Sequence, residues 1–278
     1  MLSQGRRDLE ACYPNPRFEA ELLLAAALGQ DRAHLYACPE ANVDASSKAR
    51  FVDFVARRAE GVPLAYLTGQ KEFWSLSLQV TPDTLIPRPE TELLVDLALE
   101  RAAGNARIAD LGTGSGAIAI ALATELNDAA LVATDVSDDA LSVARANAAA
   151  HQLENIEFRL GRDSDWFSAL ADEQFDVIVS NPPYVSVDDP ALTSTDIRFE
   201  PQDALAAGPD GLDALRQIIS GARPRLNDQG FLMVEHGNEQ GNTVRQLFLK
   251  AGFAGVATRC DLAGHERVTL GQLLPPRA

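Results

Sequence analysis

The sequence predicts an α/β protein: a doubly wound, parallel sheet with a small N-terminal helical domain and a short β connection. From residue 107 onward, apolar runs typical of buried strands alternate with helical segments, as in βαβ units. Residues 1–70 show mainly helical patterns and hold 8 basic and 9 acidic side chains, whereas residues 71–278 hold 16 basic and 31 acidic ones. We therefore predict a helical domain over 1–70, a β-hairpin or linker over 71–90, and the sheet domain over 91–278.

Two amphipathic helices are predicted in the N-terminal domain. The first begins at Asn15-Pro16, runs through Leu28 and ends at Gly29, since proline suits a first helical turn and glycine a helix end. The second begins near Asp44-Ala45-Ser46 and ends at Gly61. Isolated helices of this length are marginally stable, so we expect them to pack against each other.

The connection between the domains carries a strand pattern. Trp74, Leu76, Leu78 and Val80 alternate with polar residues, a period of two that predicts a strand. Pro87-Arg88-Pro89 then stiffens the approach to a leucine-rich helix.

The remaining elements follow from the alternation of apolar runs. Strands are predicted at residues 107–111, 130–135, 156–160, 175–180 and 230–235, and helices from the glycine-rich turn to 126, from 137 to about 150, and around 212–222. Ligands of such sheets bind beyond the carboxyl ends of the strands, so the loops at those ends are the first place to look for a site.

Composition excludes several classes of protein. The chain has 278 residues, is 46% hydrophobic and has a formal net charge of −16. A chain so acidic should repel nucleic acid and anionic membranes, and no apolar run approaches the ~20 residues that span a bilayer. The apolar run 22–28 follows Glu19 and Glu21 rather than a basic segment, which predicts a helix rather than a signal peptide.

The cysteines indicate the compartment. Cys12, Cys38 and Cys260 are isolated and odd in number, which is typical of a reducing environment. We therefore expect a cytoplasmic protein.

A glycine-rich segment, Asp110-Leu111-Gly112-Thr113-Gly114-Ser115-Gly116, follows the first strand of the sheet and opens a helix. Glycines at this point let the backbone turn tightly and let a ligand approach it closely. The pattern is also compatible with the dinucleotide fingerprint, so it does not identify the ligand by itself.

Two acidic residues and one aromatic residue narrow the choice of ligand. Asp135 ends the second strand and suits the hydroxyls of a ribose. Asp110 would repel a pyrophosphate and favours a cationic ligand such as S-adenosylmethionine, although capping of the next turn could be its sole role. Trp166 follows the third strand and could either stack on an adenine or pack in the core.

The sharpest signal is Asn181-Pro182-Pro183-Tyr184, directly after the strand 175–180. Two successive prolines make a rigid loop without backbone donors, whose carbonyls can accept hydrogen bonds. A planar NH2 group could donate to the Asn181 side-chain oxygen and to the Pro182 carbonyl, while Tyr184 supplies a flat wall. The nitrogen lone pair would then point out of that plane, toward a methyl donor. Positioning and carbonyl dipoles would thus activate a nitrogen that is otherwise a poor nucleophile.

Other candidate residues give weaker signals. His34, His151, His236 and His265 lie far apart and show no metal-ligand spacing, so no metal site is predicted. His236 follows the last predicted strand, where it is either a structural histidine or a residue bordering the site.

With these motifs in hand, the chain resembles the class I S-adenosylmethionine-dependent methyltransferases, with their Rossmann-like sheet, and more narrowly the protein-(glutamine-N5) methyltransferases of peptide chain release factors (the PrmC/HemK family). Besides the two loops, the stretches that carry the resemblance are Tyr66-Leu67-Thr68-Gly69, Glu72-Phe73-Trp74, residues 85–92 (Leu-Ile-Pro-Arg-Pro-Glu-Thr-Glu), Ser164-Asp165-Trp166-Phe167, Arg198-Phe199-Glu200-Pro201, Glu235-His236-Gly237 and residues 266–271. The resemblance covers nearly the whole chain.

The resemblance implies methylation of the glutamine side-chain amide in the Gly-Gly-Gln motif of class I release factors, which modulates translation termination. It assigns contacts with S-adenosylmethionine to Asp110, Gly112, Thr113, Gly114, Ser115, Gly116, Asp135, Trp166 and Asn181, substrate contacts to Asn181, Pro182, Pro183 and Tyr184, and catalysis to Asn181, Pro182 and Tyr184. It further implies that the N-terminal helical domain helps to bind the release factor.

Three alternatives remain open at this stage. A nucleic-acid methyltransferase acting on adenine N6 or guanine N2 would use the same Asn-Pro-Pro-Tyr loop, but only 3 of the 24 basic residues are lysines and no arginine cluster is apparent. A nicotinamide-dependent oxidoreductase would leave that loop unexplained. A binding module with an inactive site is disfavoured because every motif position is filled.

Overall fold

The computed structural model describes residues 1–162, 165–194 and 196–275, which form two compact units. One unit comprises Met1–Gln70 together with Thr193–Phe199, and the other comprises the rest of the described chain. The division predicted at residues 70 and 90 remains a prediction about the folding units.

The first unit is helical. Its helices are α1 (Leu2–Leu9), α2 (Pro16–Leu28), α3 (Arg32–Ala37), α4 (Ala45–Ala59) and α5 (Leu64–Thr68). The predicted helices are confirmed as α2 and α4. Gly29 ends α2 in the left-handed conformation at φ +64°, and the Asp44 carboxylate caps α4 by accepting from the backbone N–H groups of Ser46 and Ser47. The other three helices are too short to show a helical period in the sequence.

Leucine, alanine and phenylalanine side chains of α1, α2, α4 and α5 form the core of this unit. Arg58 lies beside that core, only 4% exposed. Its guanidinium stacks over the Tyr13 ring at 3.7 Å and pairs with Glu19 at 2.8 Å and with Asp196 at 3.2 Å. The buried positive charge is therefore compensated, and it ties the segment Thr193–Phe199 to the helices.

A two-stranded hairpin follows, with β1 at Gln70–Phe73 and β2 at Leu76–Gln79. Trp74 and Ser75 form its turn at φ +53° and +58°. The prediction that Trp74 begins a strand was wrong, because the turn residues happened to continue the apolar–polar alternation of β2. The hairpin sits within the region predicted as a β-hairpin or linker.

The second unit contains a seven-stranded sheet flanked by helices. The elements are α6 (Glu92–Leu99), β3 (Arg107–Leu111), α7 (Ala117–Glu125), β4 (Ala130–Asp135), α8 (Asp138–Ala150), β5 (Ile156–Leu160), β6 (Phe175–Ser180), α9 (Asp213–Gly221), β7 (Leu226–Glu235), α10 (Gly241–Lys250), β8 (Ala254–Cys260) and β9 (Glu266–Gln272). Short 3-10 helices lie at Pro89–Thr91, Pro190–Thr193, Ile197–Phe199, Gln202–Ala204 and Arg223–Arg225.

The strand order is β5-β4-β3-β6-β7-β9-β8. The five strands from β5 to β7 are parallel, whereas β9 runs antiparallel to both β7 and β8. The predicted doubly wound sheet is confirmed, with an antiparallel edge that the sequence did not reveal.

Alternate strand residues face two separate helical layers. Ile108, Val177 and Val179 pack with α6 and α7 on one face, and Ala109 and Ile178 pack with α9 and α10 on the other. Because both faces are covered, the central strands are largely apolar, with Asp110 of β3 a buried exception. In the part of the chain that the structure describes, no helix combines the length and apolarity needed to cross a membrane.

Candidate active site

The carboxyl ends of β3, β4, β5 and β6 meet at one edge of the sheet, since Leu111 pairs with Thr134 and Ser180, and Asp135 pairs with Leu160. A cavity of about 540 Å³ opens there, within the second unit. Its size is that of a cofactor pocket. Six predicted site residues line it: Gly112, Gly114, Asp135, Trp166, Asn181 and Pro183.

The other predicted residues lie around this lining rather than in it. The structure places Asp110, Thr113, Ser115, Gly116, Pro182 and Tyr184 outside the lining of the cavity. Thr113 and Ser115 are buried and bond inward: the Thr113 hydroxyl donates to Asp110, and the Ser115 carbonyl accepts from Asn147. We therefore expect Thr113 and Ser115 to contribute through the shape of the loop more than through their side chains.

Two glycines give the loop between β3 and α7 its form. Gly112 has φ +73°, and a Cβ there would lie 3.0 Å from the Trp166 ring. Gly114 has φ +55°, and a Cβ there would meet nothing within 4 Å, because it would project into open space. The Trp166 indole therefore packs against Gly112, and at Gly114 the backbone is accessible with no side chain in front of it.

Asp110 lies beneath the glycine loop, about 1% exposed. Its Oδ2 accepts a hydrogen bond of 2.6 Å from the Thr113 hydroxyl, whereas Oδ1 has no hydrogen-bond partner among the described residues. Burial raises the pKa of Asp110 to about 7, against the effect of the Thr113 hydrogen bond. A buried carboxylate with an orphaned oxygen is a feature that a cationic ligand would satisfy.

Asp135 occupies the end of β4, as predicted, and lines the cavity. Its Oδ2 accepts from the Gly114 N–H and its Oδ1 from the Ser137 N–H, both at 2.9 Å. Burial raises its pKa, and the backbone donors oppose that rise. Each oxygen retains a lone pair for a ligand hydroxyl, which agrees with the predicted ribose contact.

Trp166 lines the cavity and also packs against the core beneath β3 and β6, so the structure shows its packing role while its contact with an adenine stays a prediction. Ser164, the first residue of the family-like segment, and the preceding Asp163 lie outside the described residues.

We predict that Trp166→Ala weakens S-adenosylmethionine binding by about tenfold, because an aromatic stacking surface contributes roughly 1–1.5 kcal/mol. Calorimetric titration measures the dissociation constant directly. Trp74→Ala is the matched control, because Trp74 lies in the β1–β2 turn and bonds to Glu125 rather than lining the cavity. An unchanged affinity in Trp166→Ala would leave the indole as a core residue only.

The Asn-Pro-Pro-Tyr loop follows β6 directly, and hydrogen bonds fix the backbone at both of its ends. Ser180, the last strand residue, donates to the Leu111 carbonyl at 2.7 Å, and the Tyr184 carbonyl accepts from the Gln240 side chain at 3.0 Å. No described residue donates to the Pro182 carbonyl or to Oδ1 of Asn181. These two acceptors are the ones that the predicted chemistry requires.

The polar side chains of this loop turn toward a buried carboxylate. Asn181 Nδ2 donates to the Thr91 hydroxyl at 3.1 Å, and the Tyr184 hydroxyl donates to Glu235 at 3.0 Å. Burial and the neighbouring Glu235 raise the pKa of Tyr184, so its phenol stays protonated and is unsuited to act as a base at neutral pH.

Several cavity residues were not predicted. Residues 82–85 and 201–204 contribute Pro82, Asp83, Thr84, Leu85, Pro201, Asp203 and Ala204 to the lining. These segments approach the cavity only in the folded chain. Leu85 and Pro201 belong to stretches that carry the family resemblance, but no role at the cofactor site was predicted for those stretches. His236, by contrast, is fully buried and hydrogen-bonded through both ring nitrogens, to the Gly237 carbonyl and the Thr269 hydroxyl, which makes it a structural histidine.

The charge of the lining is unbalanced. Asp83, Asp135, Asp165 and Asp203 face a single basic residue, Arg162, among the described lining residues. This environment disfavours the pyrophosphate of a dinucleotide and suits a ligand with an ammonium and a sulfonium group. The fold, the glycine loop and this charge together define an S-adenosylmethionine-dependent methyltransferase.

Comparison with known proteins gives the family. Residues 1–69 match the family model of the PrmC N-terminal domain, and residues 89–198 match that of the methyltransferase small domain. A protein of Pseudomonas aeruginosa named release factor glutamine methyltransferase is 51% identical over 93% of this chain and 93% of its own length, and an Escherichia coli protein of the same name is 47% identical over 93% and 92%. The chain belongs to the release factor glutamine methyltransferase family.

The fold is also found in more distant solved structures. A methyltransferase from Pyrococcus furiosus superposes with a TM-score of 0.57 at 16% identity, covering 84% of this chain and all of that one. At this identity the likeness concerns the fold alone.

Proposed function

We propose that this protein transfers a methyl group from S-adenosylmethionine to the side-chain amide nitrogen of the glutamine in the Gly-Gly-Gln motif of class I release factors, in the cytoplasm. The observation that carries the proposal is the pair of acceptors at Asn181 Oδ1 and the Pro182 carbonyl, which no described residue uses, beside an acidic cofactor cavity. The names of its relatives agree with this substrate.

The proposed mechanism relies on positioning. S-adenosylmethionine supplies an electrophilic methyl group carried on a sulfonium. Asp135 would hold the ribose of the cofactor and Trp166 would contact its base, while the charge of Asp110, buried beneath the glycine loop, would attract its positive groups. Asn181 Oδ1 and the Pro182 carbonyl accept the two N–H groups of the glutamine amide, which orients the nitrogen lone pair and stabilises positive charge on nitrogen during transfer.

The described residues offer no strong base at the acceptor loop. The Tyr184 phenol is protonated, and both oxygens of Glu235 accept hydrogen bonds from hydroxyl groups. None is needed before transfer, because the methylated nitrogen is acidic and its proton can leave afterwards to water. We therefore expect the rate of methyl transfer to depend on positioning by Asn181 and Pro182 rather than on a titrating group.

The substrate assignment rests on charge as well as on family. The segment 71–278 holds 31 acidic against 16 basic residues, an excess of negative charge that disfavours polyanions, so we propose a protein substrate rather than DNA or RNA. We further propose that the N-terminal helical domain helps to bind the release factor.

A methylation assay tests this function. The protein is incubated with S-adenosylmethionine and a purified release factor, and methyl groups are mapped by peptide mass spectrometry, with a release factor lacking the acceptor glutamine as the control. We expect one methyl group on the glutamine of Gly-Gly-Gln. Methylated adenine or guanine in added nucleic acid, together with an unmodified Gly-Gly-Gln peptide, would overturn the proposal.

The acidic surface leads to a prediction about salt. If it attracts a basic loop of the substrate, KM for the release factor should rise about five- to tenfold between 50 and 300 mM salt, because screening weakens long-range attraction. The value of kcat should change less than twofold. A KM that does not depend on salt would leave the charge without a role in docking.

A further inference from the structure

Two family-like stretches without an assigned role meet behind the Asn-Pro-Pro-Tyr loop. Thr91 belongs to the segment 85–92 and Glu235 to Glu235-His236-Gly237, and the Thr91 hydroxyl donates to Glu235 Oε2 at 2.7 Å. Both side chains are buried, Thr91 at 3% and Glu235 at 1% exposure. The same carboxylate accepts the Tyr184 hydroxyl, and the same threonine accepts Asn181 Nδ2.

The hydroxyl hydrogens available in this network determine the orientation of the Asn181 amide. A threonine hydroxyl has one hydrogen, and here it is directed to Glu235. Thr91 can therefore only accept from Asn181, which requires Nδ2 to face Thr91. The amide oxygen is then left to face the other way, free of described donors, as the acceptor of an incoming NH2 group.

Both carboxylate oxygens of Glu235 take part in the network. The Tyr184 hydroxyl occupies Oε1 at 3.0 Å and Thr91 occupies Oε2, so each carboxylate oxygen holds one hydroxyl of the network. Burial raises the pKa of Glu235, and the hydrogen bonds from Thr91 and Tyr184 oppose that rise. When Glu235 is ionised it can only accept, so both hydroxyls donate to it. A hydrogen bond to a buried charge is also stronger than one between neutral groups.

The two residues stand on rigid parts of the fold. Thr91 ends the 3-10 helix Pro89–Thr91 just before α6, and the preceding Arg88 pairs with the buried Glu200. Glu235 is the last residue of β7, where it pairs with Val268 of β9. A network anchored on strand and helix ends holds its geometry better than one on loops alone.

We propose that Thr91 and Glu235 are positioning residues for methyl transfer, which orient the Asn181 amide so that its oxygen receives the substrate NH2 group. The proposal rests on the proposed function and deepens it. With the amide reversed, Asn181 would present N–H groups to the N–H groups of the glutamine, and the hold on the acceptor nitrogen would be lost. Substitution of Thr91 or Glu235 should lower kcat rather than cofactor affinity, because neither residue is among the described residues that line the cofactor cavity.

Two substitutions of Thr91 separate positioning from packing. Thr91→Val keeps the volume and removes the hydroxyl, whereas Thr91→Ser keeps the hydroxyl and removes a methyl group. We expect Thr91→Val to lower kcat for the release factor about 100-fold, with KM and the S-adenosylmethionine dissociation constant within threefold of the unsubstituted protein. Thr91→Ser should stay within threefold in all three constants. A purely structural role for Thr91 predicts the opposite order, with serine worse than valine.

A competitor gives an independent reading of the amide orientation. A release factor with glutamate in place of the acceptor glutamine presents carboxylate oxygens to Asn181 Oδ1, so it should inhibit the unsubstituted protein poorly. If Thr91→Val frees the amide to turn, this competitor should bind at least fivefold more tightly to the variant. An unchanged inhibition constant together with an unchanged kcat would overturn the proposal.

The controls distinguish failure of this inference from failure of the function. Absence of glutamine methylation by the unsubstituted protein would remove the proposed function itself, whereas normal methylation with equal activity of the valine and serine variants removes only the positioning role. Thermal unfolding of each variant checks the fold. Should Thr91→Val not fold, Thr91→Ala compared with Thr91→Ser gives the same test, with serine expected to be at least 30-fold more active.

Discussion

Replacement of Asn181 by alanine is expected to lower kcat by about 10²–10³ while the dissociation constant of S-adenosylmethionine changes less than threefold. The loss combines one of two hydrogen bonds that hold the glutamine amide with a carbonyl dipole that stabilises charge on nitrogen, and removal of a comparable preorganised dipole costs roughly that factor. Single-turnover methylation of a release factor measures the chemical step, and calorimetry measures cofactor binding.

Asn227→Ala is the matched control for this substitution. Asn227 lies near the start of β7, where it bonds to Asp176 at the start of β6, the opposite end of the strand from Asn181. Loss of that hydrogen bond should leave both constants within twofold. Equal losses of turnover and cofactor affinity in Asn181→Ala would mean that Asn181 acts mainly on the cofactor, contrary to the proposed division of roles.

Four of the five parallel strands were predictable to the residue because apolar residues recur along each of them, whereas β7 begins at Leu226, before the predicted start at residue 230. The predicted strands 107–111, 130–135, 156–160 and 175–180 coincide with β3, β4, β5 and β6. The antiparallel strands β8 and β9 were missed. Most of β8 is exposed or half-buried, so its polar and apolar residues form neither a continuous apolar run nor a clean alternation.

The site was predictable where it is contiguous in sequence. Both the glycine loop and the Asn-Pro-Pro-Tyr loop are short motifs at strand ends, and the structure brings Gly112, Gly114, Asp135 and Asn181 to one cavity. The contact between Thr91 and Glu235 joins residues 144 positions apart, so no local pattern announces it. The contacts of these residues with cofactor and substrate stay predictions.

The second large effect concerns Asp110, a carboxylate that the fold buries at a cost. Asp110→Asn keeps the shape of the side chain and removes its charge. We expect at least 100-fold weaker binding of S-adenosylmethionine, because the variant loses a charge-assisted interaction with the ammonium group in a buried site. At pH 8 the free energy of unfolding of the same variant should be higher by about 1–3 kcal/mol, because the variant no longer buries a desolvated charge.

The pH dependence of stability follows from the direction of the pKa shift. The pKa of Asp110 is about 7 in the folded protein, above its ordinary value of 3.8. Between about pH 4 and pH 7 the native state therefore binds a proton that the unfolded chain does not, and stability declines as pH rises through this interval. The decline should be smaller in Asp110→Asn, so denaturant unfolding at pH 4 and pH 8 should show the variant's advantage at pH 8 and little difference at pH 4.

The same titration should govern cofactor affinity with the opposite sign. A cationic ligand selects the ionised form of Asp110, so S-adenosylmethionine should bind about fivefold more tightly at pH 7.5 than at pH 6, a range in which its own amino group remains mostly protonated. This gain should be absent from Asp110→Asn. An affinity that is equal at both pH values, or a variant that binds as well as the unsubstituted protein, would show that Asp110 merely caps the glycine loop through Thr113. An Asp110 that binds no ligand would leave the fold with a desolvated charge at neutral pH and no interaction that offsets its cost.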